Sequence, residues 1–300
     1  MERPRILHII TPHQNVSPFD VNMAYDAGFD AVMGYTNMTD LYDVGALVQD
    51  MIFSRSPAEG KRTAVFIGGK DLNMALDMYD AVKEAMVPPF KISVFPDPAG
   101  AFTTAAAMVA CAEKLLKDNY DTTLEGKKVK VFGAKGIVGS IAGVICGLAR
   151  AESWLVGYDG LQNVKTRADD YKARFNVETF PVDGSSDEKN TAILADADVV
   201  LCAARAGRRV LSKEQLATAP QIKVVADVNA VPPAGIEGIE PKDNGRALES
   251  GALSIGPLAI GDTKFKTERG LFKALLEADE AMDIGFGEAA DFARKIVGVA

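Results

Sequence analysis

The sequence predicts an α/β protein of two domains, and three observations carry that expectation. Strand-like and helix-like segments alternate almost throughout, the signature of parallel α/β architecture. A length of 300 residues allows two separate hydrophobic cores. A polar, turn-rich segment, Tyr120-Asp121-Thr122-Thr123-Leu124-Glu125-Gly126-Lys127-Lys128, lies immediately before a new strand, where a domain boundary belongs. The first domain is accordingly set at residues 1–125 with 268–300, and the second at 126–267.

In the first series Ile6–Ile10, Ala31–Met33, Thr63–Ile67 and Ile92–Phe95 read as strands. Phe19–Asp26, Leu41–Ser54, Asp71–Ala85 and Phe102–Lys117 read as helices. The third of these follows Gly68-Gly69-Lys70 and stops before Pro88-Pro89, positions where glycine and proline punctuate helices. In the second series the strands are Val129–Phe132, Trp154–Gly157, Val199–Cys202 and Ile222–Asp227. Helices are expected over Ile137–Ala151, Val164–Phe175, Glu188–Leu194 and Ser212–Thr218. The remaining helices, Glu268–Ala278 and Glu288–Val297, are expected to return to the first domain, because the second already has its complement of elements.

Composition narrows the function classes. A net charge of −8 repels phosphate backbones and anionic lipid, which argues against nucleic acid or a membrane surface as the main partner. No apolar run approaches the ~20 residues that span a bilayer. Ile6–Ile10 is too short for a signal-peptide core, so a cytoplasmic protein is expected. Cys111, Cys146 and Cys202 are scattered among small and apolar residues and read as buried core thiols. With only His8 and His13 besides, no metal site is expected.

One segment carries specific chemistry. Val129-Lys130-Val131-Phe132-Gly133-Ala134-Lys135-Gly136-Ile137-Val138-Gly139 is a buried strand, a glycine turn and the start of an apolar helix. That arrangement lets a backbone approach a pyrophosphate at a helix N-terminus, the Rossmann dinucleotide fingerprint. Ala134, preceded by Gly133, takes the first fingerprint position, with Gly136 and Gly139 as the second and third. Gly139, Gly143 and Gly147 recur every four residues. Each interior glycine costs ~1 kcal/mol relative to alanine, so the stripe implies close packing on a sheet. Asp159 lies 20 residues past Gly139, at the end of the next strand, where an acid accepts hydrogen bonds from an adenosine ribose. A carboxylate there favours NAD over NADP, and the nearest following base is Lys165. Lys135 inside the loop adds positive charge that keeps NADP open.

With the first domain added, the chain resembles the NAD(P)-dependent methylene-tetrahydromethanopterin dehydrogenases of methylotrophic bacteria. The resemblance rests on Ser17-Pro18-Phe19-Asp20-Val21-Asn22-Met23, Phe66-Ile67-Gly68-Gly69-Lys70, and Asp97-Pro98-Ala99-Gly100-Ala101-Phe102-Thr103-Thr104-Ala105-Ala106. It continues through Ala226-Asp227-Val228-Asn229-Ala230-Val231-Pro232-Pro233-Ala234-Gly235-Ile236 and Lys264 with Lys266. It implies oxidation of the methylene group on a reduced pterin one-carbon carrier to a methenyl cation during formaldehyde oxidation, with NAD(P)+ as acceptor. It also implies a pterin cleft between the domains and a homo-oligomer, a trimer or hexamer. An exclusively NADP-dependent relative carries Arg at the position of Tyr158, which speaks against exclusive NADP use here. The scarcity of histidine suits this chemistry. The cation forms on a carbon between two nitrogens and no proton moves, so no general base is needed.

The candidate residues follow. Lys264-Phe265-Lys266 in isolation reads as a solvated strand edge; the resemblance makes Lys264 the substrate-orienting, catalytic residue. Phe19 is expected to pack on the pterin ring and Asp20 to bind its guanidine-like edge, although Asp20 also suits a helix N-terminus. Lys70, Asp97, Thr103 and Thr104 are further substrate candidates, the hydroxyls doubling as helix caps. The cofactor is assigned to Gly133, Ala134, Lys135, Gly136, Ile137, Val138 and Gly139, to Tyr158 and Asp159, to Ala203, Ala204 and Gly207, and to Asn229, whose amide both donates and accepts. The competing readings are a methylene-tetrahydrofolate dehydrogenase and a non-catalytic NAD(P)-binding redox sensor.

Overall fold

Thr63–Ile67 (β3) is buried at all five positions, the pattern of a strand covered on both faces. A computed structural model, describing residues 3–299, shows what covers it. The described residues fall into two compact units: those up to Thr103 with Lys266–Phe292, and Thr104–Phe265 with the residues from Ala293 onward.

The first unit is built on a parallel sheet of Ala31–Tyr35 (β2), Ile6–Ile10 (β1), β3 and Ser93–Pro96 (β4), in the order β2-β1-β3-β4. Helices Pro18–Ala27 (α1), Leu41–Phe53 (α2) and Leu72–Glu84 (α3) connect the strands. One core joins Val44, Val48 and Ile52 of α2 and Met78 and Val82 of α3 to Ile10, Val65 and Val94 of the sheet. A second is aromatic. Phe272 lies 5.4 Å from Phe66 and 5.5 Å from Phe95, ring centre to ring centre, with Phe29 edge-on at 6.1 Å. The edge-to-face pairs, Phe29–Phe272 and Phe95–Phe272, stabilise by roughly 0.5–1.5 kcal/mol each beyond their buried area.

The second unit holds a seven-stranded sheet: Lys128–Phe132 (β5), Glu152–Gly157 (β6), Phe180–Asp183 (β7), Val199–Cys202 (β8), Val224–Asp227 (β9), Asn244–Ala247 (β10) and Leu253–Ile255 (β11). The order is β10-β11-β9-β8-β5-β6-β7, parallel except for β10 against β11. Ile137–Leu148 (α5) packs on β5, β6 and β8, while Leu161–Phe175 (α6), Asp187–Leu194 (α7) and Lys213–Ala217 (α8) complete the layers. The glycine stripe has the predicted role. A Cβ on Gly143 would lie 2.5 Å from Leu155, and one on Gly147 would lie 2.4 Å from Val177.

Three long helices carry the chain between the units: Ala101–Tyr120 (α4), Pro257–Glu277 (α9) and Phe286–Val297 (α10). The division therefore falls inside helices, and α4 beyond Thr103 groups with the second sheet, whereas the sequence set the boundary in the polar segment near Gly126. Residues Lys266–Phe292 group with the first unit, whereas the residues from Ala293 onward, the second half of α10 included, group with the second. The turn before α4 and α4 itself, Pro98–Tyr120, form one helix long and apolar enough to cross a membrane by length and composition, where the sequence reading saw no such run. That stretch is 78% buried inside the protein, as an alanine-rich core helix is.

Three strands escaped the sequence, and one helix is longer than it reads. β7 is interrupted by Pro181, β10 is short and polar, and β11 is only three residues long. α9 begins at Pro257 rather than Glu268, so Lys264-Phe265-Lys266 is helical and not a strand edge. Gly261 and Gly270 break its apolar period; the second lets the Phe292 ring approach to 2.3 Å of where a Cβ would stand. The three cysteines are buried free thiols.

Candidate functional site

Each sheet reverses its strand order once, and each reversal opens a crevice beyond the carboxyl ends of two neighbouring strands, the usual ligand position in open α/β sheets. In the second unit the reversal lies between β5 and β8. The glycine loop follows β5, and Ala203-Ala204 follow β8. Gly133 has φ +79°, and a Cβ there would lie 2.4 Å from the carbonyl of Ala203. Gly139 is equally constrained, since its Cβ would stand 2.5 Å from the Gly133 oxygen. A Cβ on Gly136 would meet nothing closer than 3.4 Å. Gly133 therefore makes the tight turn, Gly139 the helix–strand contact, and Gly136 the exposed approach to a ligand. This corrects the sequence alignment, which gave the first position to Ala134; that residue is fully buried.

Gly136 is the N-cap of α5 and offers no side chain to it. The first backbone N–H groups of the helix, at Ile137, Val138 and Gly139, receive no side-chain cap from Gly136, and with the helix dipole they are an arrangement that suits an anion. Behind the loop, the hydroxyl of Ser140 donates to the Ala134 carbonyl (3.0 Å), and the Tyr171 hydroxyl donates to Ser140. This chain fixes the loop from α6.

Around the seat runs a cleft of about 490 Å³, lined by Gly133, Gly136, Ala203, Ala204 and Tyr158 together with Lys135, Arg205 and Arg208. Three of its lining residues are cations and none is a carboxylate, in a chain whose net charge is −8. Such a local field suits a multiply charged anion. Tyr158 is 59% exposed and has Lys135 5.4 Å and Arg208 5.9 Å from its ring centre. Asp159, beside it, pairs with Lys135 and accepts from Asn163 at 3.0 Å. The Lys135 ammonium holds the Asp159 carboxyl below its usual range. The sequence looked for a cation after Asp159 and missed Arg205 and Arg208, which come from the far side of the reversal. Their signal was the run Arg205-Ala206-Gly207-Arg208-Arg209 directly beyond a buried strand.

Asn229 does different work from the contact expected of it. Its side-chain oxygen accepts from the backbone of Gly207 (3.3 Å) and Val231 (3.0 Å), and its amide donates to the Pro233 carbonyl (3.0 Å). It ties the Gly207 loop to the loop after β9. Asp227 anchors that second loop from beneath, accepting from the backbone of Asn229 (2.9 Å), Gly235 (2.6 Å) and Ile236 (3.1 Å). Burial raises the Asp227 carboxyl and, more strongly, the neighbouring Cys202 thiol.

In the first unit the reversal lies between β1 and β3. The loop after β1 leads to α1, and the loop after β3 is Gly68-Gly69-Lys70-Asp71. The loops lie close together, since a Cβ on Gly69 would be 3.3 Å from Pro12. Phe19, Asp20 and Lys70 are thus brought to one sheet edge. Phe19 is 47% exposed and Lys70 is exposed, whereas Asp20 is 6% exposed, in the first turn of α1 behind its cap Ser17. Asp97 and Thr103 are both fully buried. Asp97 accepts from the backbone of Phe102 (2.7 Å) and Thr103 (3.2 Å) and from the Thr103 hydroxyl (2.6 Å). They cap α4, and direct ligand contact by either is corrected to a supporting position. Thr104 is half-buried in α4, and Lys264 is half-buried on α9 in the second unit. Among the described residues no group of three His, Cys, Asp or Glu could hold a metal ion. His8 is bonded to the Tyr35 hydroxyl (3.2 Å), and burial lowers its pKa, with the Arg55 charge adding to the effect.

Sheet order, glycine turn and cationic cleft define a two-unit protein with a Rossmann dinucleotide site, whose glycine cradle fits NAD or NADP. Residues 18–99 match the family described as methylene-tetrahydromethanopterin dehydrogenase, N-terminal. Over 294 residues the chain is 47% identical to the NAD(P)-dependent methylenetetrahydromethanopterin dehydrogenase of Methylorubrum extorquens, covering 98% of this chain and 99% of the relative. The chain belongs to that dehydrogenase family. It is also 34% identical over 266 residues to the bifunctional protein MdtA of the same organism, covering 89% of this chain and 90% of that one. In fold alone it is similar to the NAD-dependent malic enzyme of Thermotoga maritima, with a TM-score of 0.60 at 15% identity over 98% of this chain and 84% of that one. Ornithine transcarbamoylase of Giardia lamblia gives 0.55 at 10% identity, over 91% and 86%.

Proposed function

We propose that the chain transfers a hydride from the methylene group of methylene-tetrahydromethanopterin to NAD(P)+, leaving the methenyl product, as a step in one-carbon oxidation at the level of formaldehyde. The observation that carries this reading is the 47% identity that runs over 98% of the chain, through both units. When bound, NAD(P)+ supplies the hydride acceptor. The chain's own residues bind, orient and exclude water. The N–H groups of Ile137, Val138 and Gly139 hold the phosphates, Gly136 admits them, and Ala203, Ala204 and Gly207 line the ribose path. Asn229 sets the loop that carries Gly207.

On the first unit, the exposed ring of Phe19 packs against the pterin. Asp20 and Lys70 face its polar edge, over a floor shaped by Asp97 and Thr103. Lys264 orients the substrate through a charge-assisted hydrogen bond to a pterin nitrogen or carbonyl. The reacting carbon sits between two nitrogens that share the positive charge, so no side chain has to take a proton. Alignment is then the main task, and misplacement of the reacting atoms is costly. The protein works in the cytoplasm as a homo-oligomer, with the reduced pterin carrier as its partner.

The test is turnover of methylene-tetrahydromethanopterin and methylene-tetrahydrofolate, each with NAD+ and with NADP+, followed by reduced nicotinamide. Activity on the methanopterin substrate is expected. Faster turnover of the folate would reassign the chain to folate chemistry, and cofactor binding without turnover of either would make it a redox sensor.

A further inference from the structure

The cation that faces Asp159 comes from inside the phosphate loop. Lys135 pairs with Asp159, and both side chains keep close to a third of their surface in water, so the pair is formed but not locked. An ion pair with this exposure contributes little to stability and exchanges partners readily. Arg208 stands 5.9 Å from the centre of the same Tyr158 ring that Lys135 approaches at 5.4 Å. Arg205 lines the same cleft. The strand end where a dinucleotide's adenosine ribose is read therefore holds one carboxylate and a cation that can pair either with it or with an incoming phosphate. It also holds a second cation with no acid among the cleft's lining residues.

We propose that the Lys135–Asp159 pair is a two-position selectivity switch that lets one site accept both NAD+ and NADP+. With NAD+, Asp159 accepts from the ribose hydroxyls while Lys135 stays on the carboxylate and neutralises it. With NADP+, Lys135 turns from Asp159 to the 2′-phosphate and shares it with Arg208 beside Tyr158. A bare carboxylate would repel the 2′-phosphate, and a bare lysine would give NAD+ no preference. The pair tolerates both because its charge sums to zero. This inference rests on the reading of the cleft as the dinucleotide site.

Calorimetric binding of NAD+ and of NADP+, without pterin, separates the two claims. The proteins are wild type, Lys135→Met, Asp159→Asn, Arg208→Met and the Lys135→Met/Asp159→Asn double variant, each checked for native circular dichroism. Wild type is expected to bind both cofactors. Lys135→Met should weaken NADP+ by about tenfold or more while moving NAD+ by less than about threefold. Arg208→Met should weaken NADP+ alone. Asp159→Asn should weaken NAD+ and tighten NADP+, and in that background removal of Lys135 should cost NADP+ less, because the repulsion it screened is gone. Equal losses for both cofactors in Lys135→Met would make the lysine a pyrophosphate ligand and overturn the switch, as would no change in either. A wild type that binds only one cofactor overturns it as well. A wild type that binds neither removes the dinucleotide reading itself.

Discussion

The two strand-order reversals solve the same topological problem with different materials. Between β5 and β8 the edge is mostly backbone: a glycine at φ +79° turns against Ala203, and bare N–H groups open α5. Between β1 and β3 the edge is mostly side chain, with Phe19, Asp20 and Lys70 above a floor in which Asp97 caps α4. A phosphate presents the same oxygens in every dinucleotide, so peptide groups can bind it. Rings and charged groups placed one by one suit instead a ligand that presents a flat face and an uneven polar edge, as the proposed pterin does. Substitutions should therefore act in opposite ways at the two edges.

The largest effect is expected at Gly133. An alanine there needs a left-handed backbone and overlaps the Ala203 carbonyl. Gly133→Ala should abolish dinucleotide binding and cost well over ~1 kcal/mol of stability. Gly136→Val, where a first carbon has room, should lose binding with only a small change in stability. Calorimetry beside thermal melts reads both; equal melting losses would mean that the two glycines share one role.

Next comes Asp97→Ala, which removes the side-chain acceptor of two N–H groups at the α4 start and leaves the Thr103 hydroxyl only the Gly100 carbonyl at 3.3 Å. Stability should fall by about 2–3 kcal/mol in urea, with cofactor affinity in the second unit unchanged. A loss of NAD(P) affinity without a stability loss would contradict the capping role.

Asn229→Ala should weaken the cofactor by about tenfold, the scale of one or two hydrogen bonds. Asn229→Asp keeps the acceptor for Gly207 and Val231 and should recover part of that loss. If it recovers nothing, the amide contact to Pro233 matters more than the clamp on the Gly207 loop.

The smallest effect is expected at Ala99, which holds φ +54° between Asp97 and the left-handed Gly100. Alanine is strained there, so Ala99→Gly should change stability by less than ~1 kcal/mol and leave cofactor affinity untouched. A loss of several kcal/mol would show that the Ala99 methyl is needed for packing.

The same contrast governs what the sequence reveals. The dinucleotide edge is contiguous: Lys135, Gly136 and Gly139 sit within one strand-turn-helix, and their spacing states their purpose. Only the register slipped, because Ala134 beside Gly133 hides which of them makes the turn. The Asp97–Thr103 cap was legible as a cap, since hydroxyls at a helix start have that local use. The rest is assembled by topology. Arg208 meets Tyr158 because β8 and β6 flank β5, and no spacing rule in the chain announces that. β11 adds to the edge that β9 offers and β10 pairs in turn with β11, partnerships that three or four residues of sequence do not announce. Phe19 and Lys70 reached one edge through sheet order alone, and only family resemblance joins them in the sequence.

Each of the three cysteines sits in a different place, and burial raises every thiol above its ordinary range. An alkylating reagent attacks the thiolate, so each sulfur stays silent until its surroundings open. Cys202 is enclosed by Asp227 and by Gly235, where an added Cβ would come within 2.7 Å of the sulfur. Its labelling rate is thus a stopwatch for the loop that Asn229 ties down. Cys111 touches the Thr263 hydroxyl at 3.4 Å and times the release of α9 instead. Cys146, fully enclosed within α5, reacts only when the glycine-striped helix leaves its sheet. Three natural probes, without any engineered label, rank the order in which the second unit comes apart.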